Sequence, residues 1–394
     1  MPFDLPEMKD VYVISYARTP IGKFGGTFRN KRAVELGAAA IRTAINRSGI
    51  NPDMVEEVIM GNVLQAGNGQ NPAGQAATLA GLKSGTLKYT VNVVCASGML
   101  AIESASREIA LNEHHLIVAG GMESMSNSPF LLPSELRWGV KQLYRKEENL
   151  KDAILSDGLL DAFYFEHMGV SADRTAKKFG ITRKMADEYS YESNLRADTA
   201  WKNGIFKKET FDTFGLTSDE GIRVSDPDIL GKLKPAFTED GVLTAGNSSQ
   251  ISDGASALIL ASEEFVNENS VKPVAKITGY ESYSLEPTDF VETPIPCTRK
   301  FLEKTGSRID DYDLVEHNEA FSIASLLVRE KLGVDPDRFN VNGGAVAIGH
   351  PLGNSGSRIM VTLINALKDK KMKKGLATIC HGGGGAHTMA VEIL

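Results

Sequence analysis

Hydrophobic positions along the chain follow two periods. Short apolar or alternating runs, such as "YTVNVVC" (89–95), "ISDGASALILAS" (251–262), "KPVAKITGY" (272–280) and "HTMAVEIL" (387–394), read as strands. Between them lie longer segments with helical spacing; Ile359, Met360, Leu363, Ile364 and Leu367 fall on one helical face. Strands alternating with helices predict layered sheets covered by helices, an α/β protein. Two segments repeat the same order of signals. From Val91 to Gly121 and again from Val341 to Gly383, Val-Asn leads through a loop to Ser-Gly, a helix, an apolar strand and Gly-Gly. The Ser-Gly pairs begin at 97 and 355 and the Gly-Gly pairs at 120 and 382, a spacing that favours a duplicated half. The expected organisation is a first half over 1–121, resuming at 251–271, and a second half over 272–394. Residues 122–250 are denser in charge, as in "KQLYRKEENLKD" and "TRKMADEYSYESNLRADTAW", and largely helical. They read as an inserted loop or cap domain.

Composition narrows the class. With 394 residues, 42% hydrophobic and 24% charged, the chain is an ordinary globular protein of two or three domains. No apolar run nears the ~20 residues that span a bilayer. "MPFDLPEMKD" does not look like a leader and the closing "EIL" is not a peroxisomal address, so the expectation is cytoplasmic. A formal charge of −7 argues against a general nucleic-acid binder. The three cysteines, Cys95, Cys297 and Cys380, are too few and too far apart for a disulfide framework or a zinc site and suit a reducing compartment.

Candidate chemistry gathers at the repeated loops. Cys95 ends a strand just before a helix that begins near Ala96–Ser97. The helix N-terminus is expected to lower its pKa and populate the thiolate; a buried core cysteine is the competing reading. His350, between Gly349 and Pro351, occupies the corresponding loop of the second half, and a pseudo-twofold would bring it to Cys95 as a base. Asn318, in "EHNEAFS", can orient water or a carbonyl oxygen, or cap a strand end. Cys380 precedes Gly382–Gly385 in "CHGGGGA", which predicts strand, tight turn, strand, with N–H groups free to face a ligand. Lys177, Lys178, Arg223, Lys232 and Lys234 are basic groups for an anionic ligand, or a solvated helical face.

Seven motifs in order carry a resemblance over nearly the whole chain: "NVVCASG" (92–98), "GGMESMSNSP" (120–129), "EHMGVSAD" (166–173), "TAGNSSQISDGASA" (244–257), "HNEAFS" (317–322), "NGGAVAIGHPLGNSG" (342–356) and "CHGGGGA" (380–386). The chain resembles the thiolases. That resemblance implies duplicated βαβαβαββ halves in a five-layered α/β/α/β/α core with an inserted loop domain. It implies a reversible Claisen condensation of two acetyl-CoA to acetoacetyl-CoA and CoA. Cys95 would be the acyl-accepting nucleophile, and His350, with a water on Asn318, its activator and one oxyanion hole. Cys380 would be the acid/base at the α-carbon, and the N–H groups of Cys95 and Gly382 the second hole. Arg223 and Ser249 match coenzyme A contacts; His167, Met168, Leu159 and Phe321 match the pantetheine and acyl pocket. "HMG" at 167–169 resembles the short-chain members. No metal or redox cofactor is demanded, since coenzyme A thioesters are substrates. A homo-oligomer, dimer or tetramer, is implied, and a downstream synthase is a candidate partner.

Departures are the histidines 317, 381 and 387 beside the motifs, "NSSQ" for the commoner "NASG" at 247–250, and a poor match over 130–150. His381 is expected to point away from the site, His114 and His115 to be surface or satisfied loop residues, and Cys297 to be structural. Three rivals stand beside this reading. One is a broad-range degradative 3-ketoacyl-CoA thiolase. Another is a ketoacyl synthase on the same fold, which needs no second cysteine. The third is a catalytically silent or partner-dependent CoA-binding subunit.

Overall fold

The computed structural model describes residues 9–138 and 150–394. The first half runs β1 (Val11–Arg18), α1 (Ala33–Ser48), β2 (Glu57–Gly61), α2 (Pro72–Ala80), β3 (Leu87–Val91), α3 (Ser97–Ala110) and β4 (Leu116–Ser124). After an insertion carrying α4 (Met168–Phe179) and α5 (Arg183–Lys202), β5 (Ser252–Ser262) closes that half. The second half runs β6 (Ala275–Ser284), α6 (Pro294–Thr305), β7 (Leu314–His317), α7 (Ser322–Leu332), α8 (Leu352–Lys370), β8 (Lys374–His381) and β9 (Gly385–Ile393). Boundary signals are those of the sequence. Asn71 caps α2 through Gly74 N–H with Pro72 next in line, Thr182 caps α5, and Gly49, Gly81 and Gly180 end helices in the left-handed conformation. Strand β4 continues to Ser124, past the Gly120–Gly121 pair that marks the end of the repeat. Of the charge-dense stretch 141–152, residues 141–149 lie outside the described residues, as do residues 1–8.

Sheet order establishes the duplication independently of sequence. The strands lie β7-β8-β9-β6-β1-β5-β4-β2-β3. Counted within the first half, the order is 3-2-4-5-1, with β2 parallel to β3 and β4, and β5 antiparallel to β4 and β1. In the second half the missing third strand survives as a parallel bridge, Val315 to Phe339, beside β7. Strand β8 then pairs parallel with β7 and antiparallel with β9, which is antiparallel to β6: again 3-2-4-5-1. The halves join at their first strands through Val11–Ile277, Tyr12–Lys276 and Val13–Ala275.

Layering follows from what each face touches. Helix α1 packs on α2 and on β1 and β5, and α6 packs on β6, β9 and α7, so these helices cover the outer faces. Helices α3 and α8 pack on each other and on both sheets, giving five layers, helix, sheet, helix pair, sheet, helix. The sequence suggests an apolar stripe on α8; the structure buries every residue from Leu352 to Leu367. Lying between two sheets, the helix has no wet face, and its polar residues find buried partners instead. The insertion is anchored at β1. There Arg18, fully buried, holds Glu209 at 2.5 Å and Asp219 at 2.8 and 3.1 Å. Among the described residues no helix is long and apolar enough to cross a membrane.

Candidate active site

Cys95 sits on a strained turn between β3 and α3. Val94 has φ 52°, a conformation a β-branched side chain seldom adopts. Local bonds hold it there: Val94 N–H donates to Asn92 Oδ1 at 3.0 Å, Val93 N–H to Ser97 Oγ at 2.9 Å, and Ser97 Oγ–H to Val94 O at 2.6 Å. The thiol is 9% exposed among Val63, Leu64, Met125 and Leu352. Burial pushes it up to about 12, against the pull of the Gly382 and Cys95 N–H groups. The helix-terminus argument therefore gives the wrong sign for the resting thiol. Desolvation outweighs the N–H groups, and Cys95 rests protonated.

Strands β8 and β9 form the hairpin read from the final residues. Cys380 pairs with Ala386 and His381 with Gly385, and the turn is Gly382–Gly384. Gly383 and Gly384 have φ 82° and 84°, and a Cβ on Gly384 would lie 2.3 Å from Leu285 O. Cys380 is 1% exposed, and its thiol is pushed up by burial first and then by the neighbouring Cys95 sulfur. Cys380 thus lies within the field of the Cys95 sulfur, and Gly382 N–H faces Cys95. On the opposite strand face His381 stacks over Gly385, its Nδ1–H donates to Gly382 O at 2.7 Å, and its ring lies 5.6 Å from His387. His387 in turn faces Glu103 at 2.8 Å. His381 does point away from Cys380.

His350 is 6% exposed, ahead of α8. The Ser355 hydroxyl donates back to Pro351 O at 3.0 Å, so His350 Nδ1–H donates to Ser355 Oγ at 2.5 Å and Nε2 is the unprotonated, accepting nitrogen. Asn318 Nδ2 approaches that Nε2 at 3.4 Å. Asn318, fully buried, follows β7 and binds Thr378 O on the Cys380 strand through its own N–H at 3.2 Å. Its Oδ1 receives Arg358 Nη2 at 3.5 Å, while Arg358 Nη1 meets Glu316 at 3.2 Å. Burial first, then the Arg358 charge, holds the imidazole down at about 3. The loops of Cys95 and His350 come together because α3 and α8 cross on glycine. A Cβ on Gly98 would lie 2.7 Å from Ser357 N, on Gly356 2.5 Å from Met99 N, and on Gly121 2.0 Å from Gly353 O.

The remaining candidates divide. Met168 and Val94 flank Gly382, each 3.6–3.7 Å from where its Cβ would be. His167 accepts Gly169 N–H at 3.0 Å and stacks on Phe237 at 4.7 Å, and Phe237 meets Phe321 edge-on at 5.9 Å. Leu159 packs against the Cys95 cluster. Ser249 N–H donates to Ala320 O at 3.0 Å, and Ser248 bridges Phe321, so "NSSQ" is sewn to the Asn318 loop. Its Gln250 accepts His350 N–H at 3.0 Å through the carbonyl and donates to Gly221 O at 2.7 Å. Arg223 is exposed, fixed through its N–H to Asn194 at 2.8 Å. Lys232 and Lys234 are exposed too, whereas Lys178 pairs with Glu292 at 2.7 Å and Lys177 faces Asp240 at 3.8 Å. Cys297 is a core thiol against Glu281 O and Ala386 O. Sequence reasoning missed Phe237, Arg358 and Glu123. Glu123 is a fully buried carboxylate that accepts N–H from Val63, Leu64 and Gly353 and so binds the Cys95 side to the His350 loop. A charged residue among apolar helix positions, as at Arg358, was the one available signal.

Known proteins resemble the chain over nearly its whole length. The family model "Thiolase, N-terminal domain" matches residues 11–264 and "Thiolase, C-terminal domain" residues 271–393. An acetyl-CoA acetyltransferase of Synechocystis sp. is 45% identical over 98% of this chain and 100% of its own, and that of Escherichia coli 43% over the same shares. The Acat5 thiolase of Ascaris suum, solved in complex with coenzyme A, superposes with a TM-score of 0.93 at 41% identity over 98% of this chain and 100% of its own. The acetyl-CoA acetyltransferase of Bacillus anthracis superposes with a TM-score of 0.94 at 36% identity over the same shares. With both family models and full-length relatives matched, the chain belongs to the thiolase family.

Proposed function

We propose that this chain is an acetyl-CoA C-acetyltransferase, an acyltransferase that reversibly joins two acetyl-CoA into acetoacetyl-CoA and CoA. The observation that carries it is two buried cysteines, Cys95 facing the Gly382 N–H and acting on Cys380, with the buried His350 on the loop that the glycine crossing of α3 and α8 brings to the Cys95 side. Cys95 attacks the thioester carbonyl as its proton passes to the unprotonated Nε2 of His350. Cys380 gives its proton to the departing CoA sulfur and becomes the thiolate. That thiolate then takes the α-proton of the second acetyl-CoA. The resulting enolate attacks the acetyl group on Cys95, and the released Cys95 sulfur recovers its proton from His350. Protons balance over the cycle, and no metal or redox cofactor is needed.

Two sets of donors meet the oxygens that become negative. The N–H groups of Cys95 and Gly382 serve the acyl-cysteine carbonyl; protonated His350 Nε2, with water on Asn318, serves the enolate. Their fixed positions matter because the carbon acid is very weak in water. The His167–Phe237–Phe321 aromatic wall, with Met168 and Leu159, favours a short acyl chain over a long one. Arg223 and Ser249 are the coenzyme A contacts of this reading. Three free thiols favour a reducing, cytoplasmic setting, and a homo-oligomer goes with the family.

The test is CoA-dependent cleavage of acetoacetyl-CoA beside a longer 3-ketoacyl-CoA, in wild type and Cys95→Ala. Cleavage of the C4 substrate, lost by about 10³-fold or more in the variant and weak on the long chain, is expected. Equal rates on both chains would move the protein to the broad degradative class. No cleavage by folded wild type would leave a silent or partner-dependent CoA binder.

A further inference from the structure

Three groups with metal-ligating chemistry meet at the end of α3 away from Cys95. Glu57 opens β2, Glu108 lies in the last turn of α3, and His114 follows in the loop that leads to β4. Their ligand atoms all lie within 4.8 Å of one another, and His114 Nε2 is 3.8 Å from Glu57 Oε2. Glu57 is 5% exposed, and its Oε2 is buried with no hydrogen-bond donor among the described residues. A buried carboxylate oxygen that accepts nothing is costly, and a second carboxylate beside it adds repulsion. Tyr89 O–H donates to Glu108 Oε1 at 2.8 Å, which orients that carboxylate, and the Glu57 and Glu108 carboxyl groups stand within hydrogen-bond reach of each other.

We propose that Glu57, Glu108 and His114 hold one divalent transition-metal ion, which clasps the tail of α3 to β2. Two carboxylates supply the charge and one imidazole the borderline nitrogen, a donor set for Zn²⁺, Co²⁺ or Mn²⁺ rather than Ca²⁺. Ligand bonds of about 2.0–2.2 Å require the three side chains to draw together on the ion. The site shares no residue with the cysteine pair, so its role is structural. It amends the expectation of no metal for the fold and leaves the reaction metal-free.

Full-length protein is freed of metal with a chelator, desalted and titrated with CoCl₂ while visible absorption and thermal unfolding are followed. One equivalent should bind saturably, without the near-ultraviolet thiolate band that Cys95 or Cys380 would give, and should raise the Tm. Glu57→Gln and His114→Ala should each weaken binding at least about tenfold with acetoacetyl-CoA cleavage unchanged. His114 is only part-buried, so its variant tests the ion even if Glu57→Gln folds poorly. Binding unaffected by both substitutions, binding that carries the thiolate band, or none up to about 1 mM would overturn the proposal. The last result would mean that the carboxyl pair is bridged by a proton.

Discussion

Protonation governs what each cysteine can do. Cys95 raised to about 12 by burial is a thiol at neutral pH, so its alkylation by iodoacetamide should climb about tenfold per pH unit from 7 to 9 with no plateau. A plateau below pH 8 would show a resting thiolate and undo the proton route above. Cys380→Ala should form acyl-Cys95 from acetyl-CoA more slowly, by intact mass, because the departing CoA sulfur loses its proton donor, and should lose condensation and thiolysis by about 10²–10⁴-fold. Acylation at the wild-type rate would mean that the departing CoA sulfur takes its proton elsewhere. Cys95, Cys380, His350 and Asn318 were singled out in the sequence chiefly by the seven ordered motifs; taken alone, Cys95, at the end of the apolar run "YTVNVVC", reads as a core cysteine. The sign of the Cys95 shift was not legible there, since desolvation depends on what the other half places around the sulfur. Phe237 was equally hidden; it reaches His167 only through the folded insertion.

Between elements, the decisive contact is the crossing of α3, β4 and α8. Gly121→Ala sets a methyl 2.0 Å from a backbone oxygen, where no side chain can rotate away. It should cost about 1–3 kcal/mol or more in denaturant unfolding and slow catalysis by shifting the His350 loop. Full activity with unchanged stability would show that the crossing has slack. The duplicated order of signals foretold this architecture, because Ser-Gly opens α3 in one half and lies in the first turns of α8 in the other. The periodicity of α8 misled: Ile359 to Leu367 trace one face, but Arg358, Thr362 and Asn365 on the others are buried too. Pattern alone cannot tell a wet polar face from one whose partners, here Glu316, Glu209 and Ile205 O, come from distant sequence.

For the whole molecule, buried titratable groups set the pH range of stability. Burial lowers His317 and His350 to about 3 and His381 to about 4 from 6.5, so their contribution is complete above 6.5 and is lost as pH falls. Burial raises Asp253 from 3.8 to about 6, Glu123 from 4.5 to about 7 and Glu316 from 4.5 to about 8; theirs is complete below those ordinary values and is lost as pH rises. Between 4.5 and 6.5 the two sets oppose each other, so the Tm should be highest there and decline on both sides in a buffered pH series. A maximum at pH 8 or above would contradict the buried-carboxyl account. The sheet order carries one more consequence, for synthesis. Strand β1 is made first, yet its partners are β5 and β6, which begin at Ser252 and Ala275. At about 5–20 residues per second the ribosome leaves β1 unpaired for on the order of ten seconds or more. Through that interval the nascent chain carries an open apolar edge, which makes it a client for chaperones before it is an enzyme.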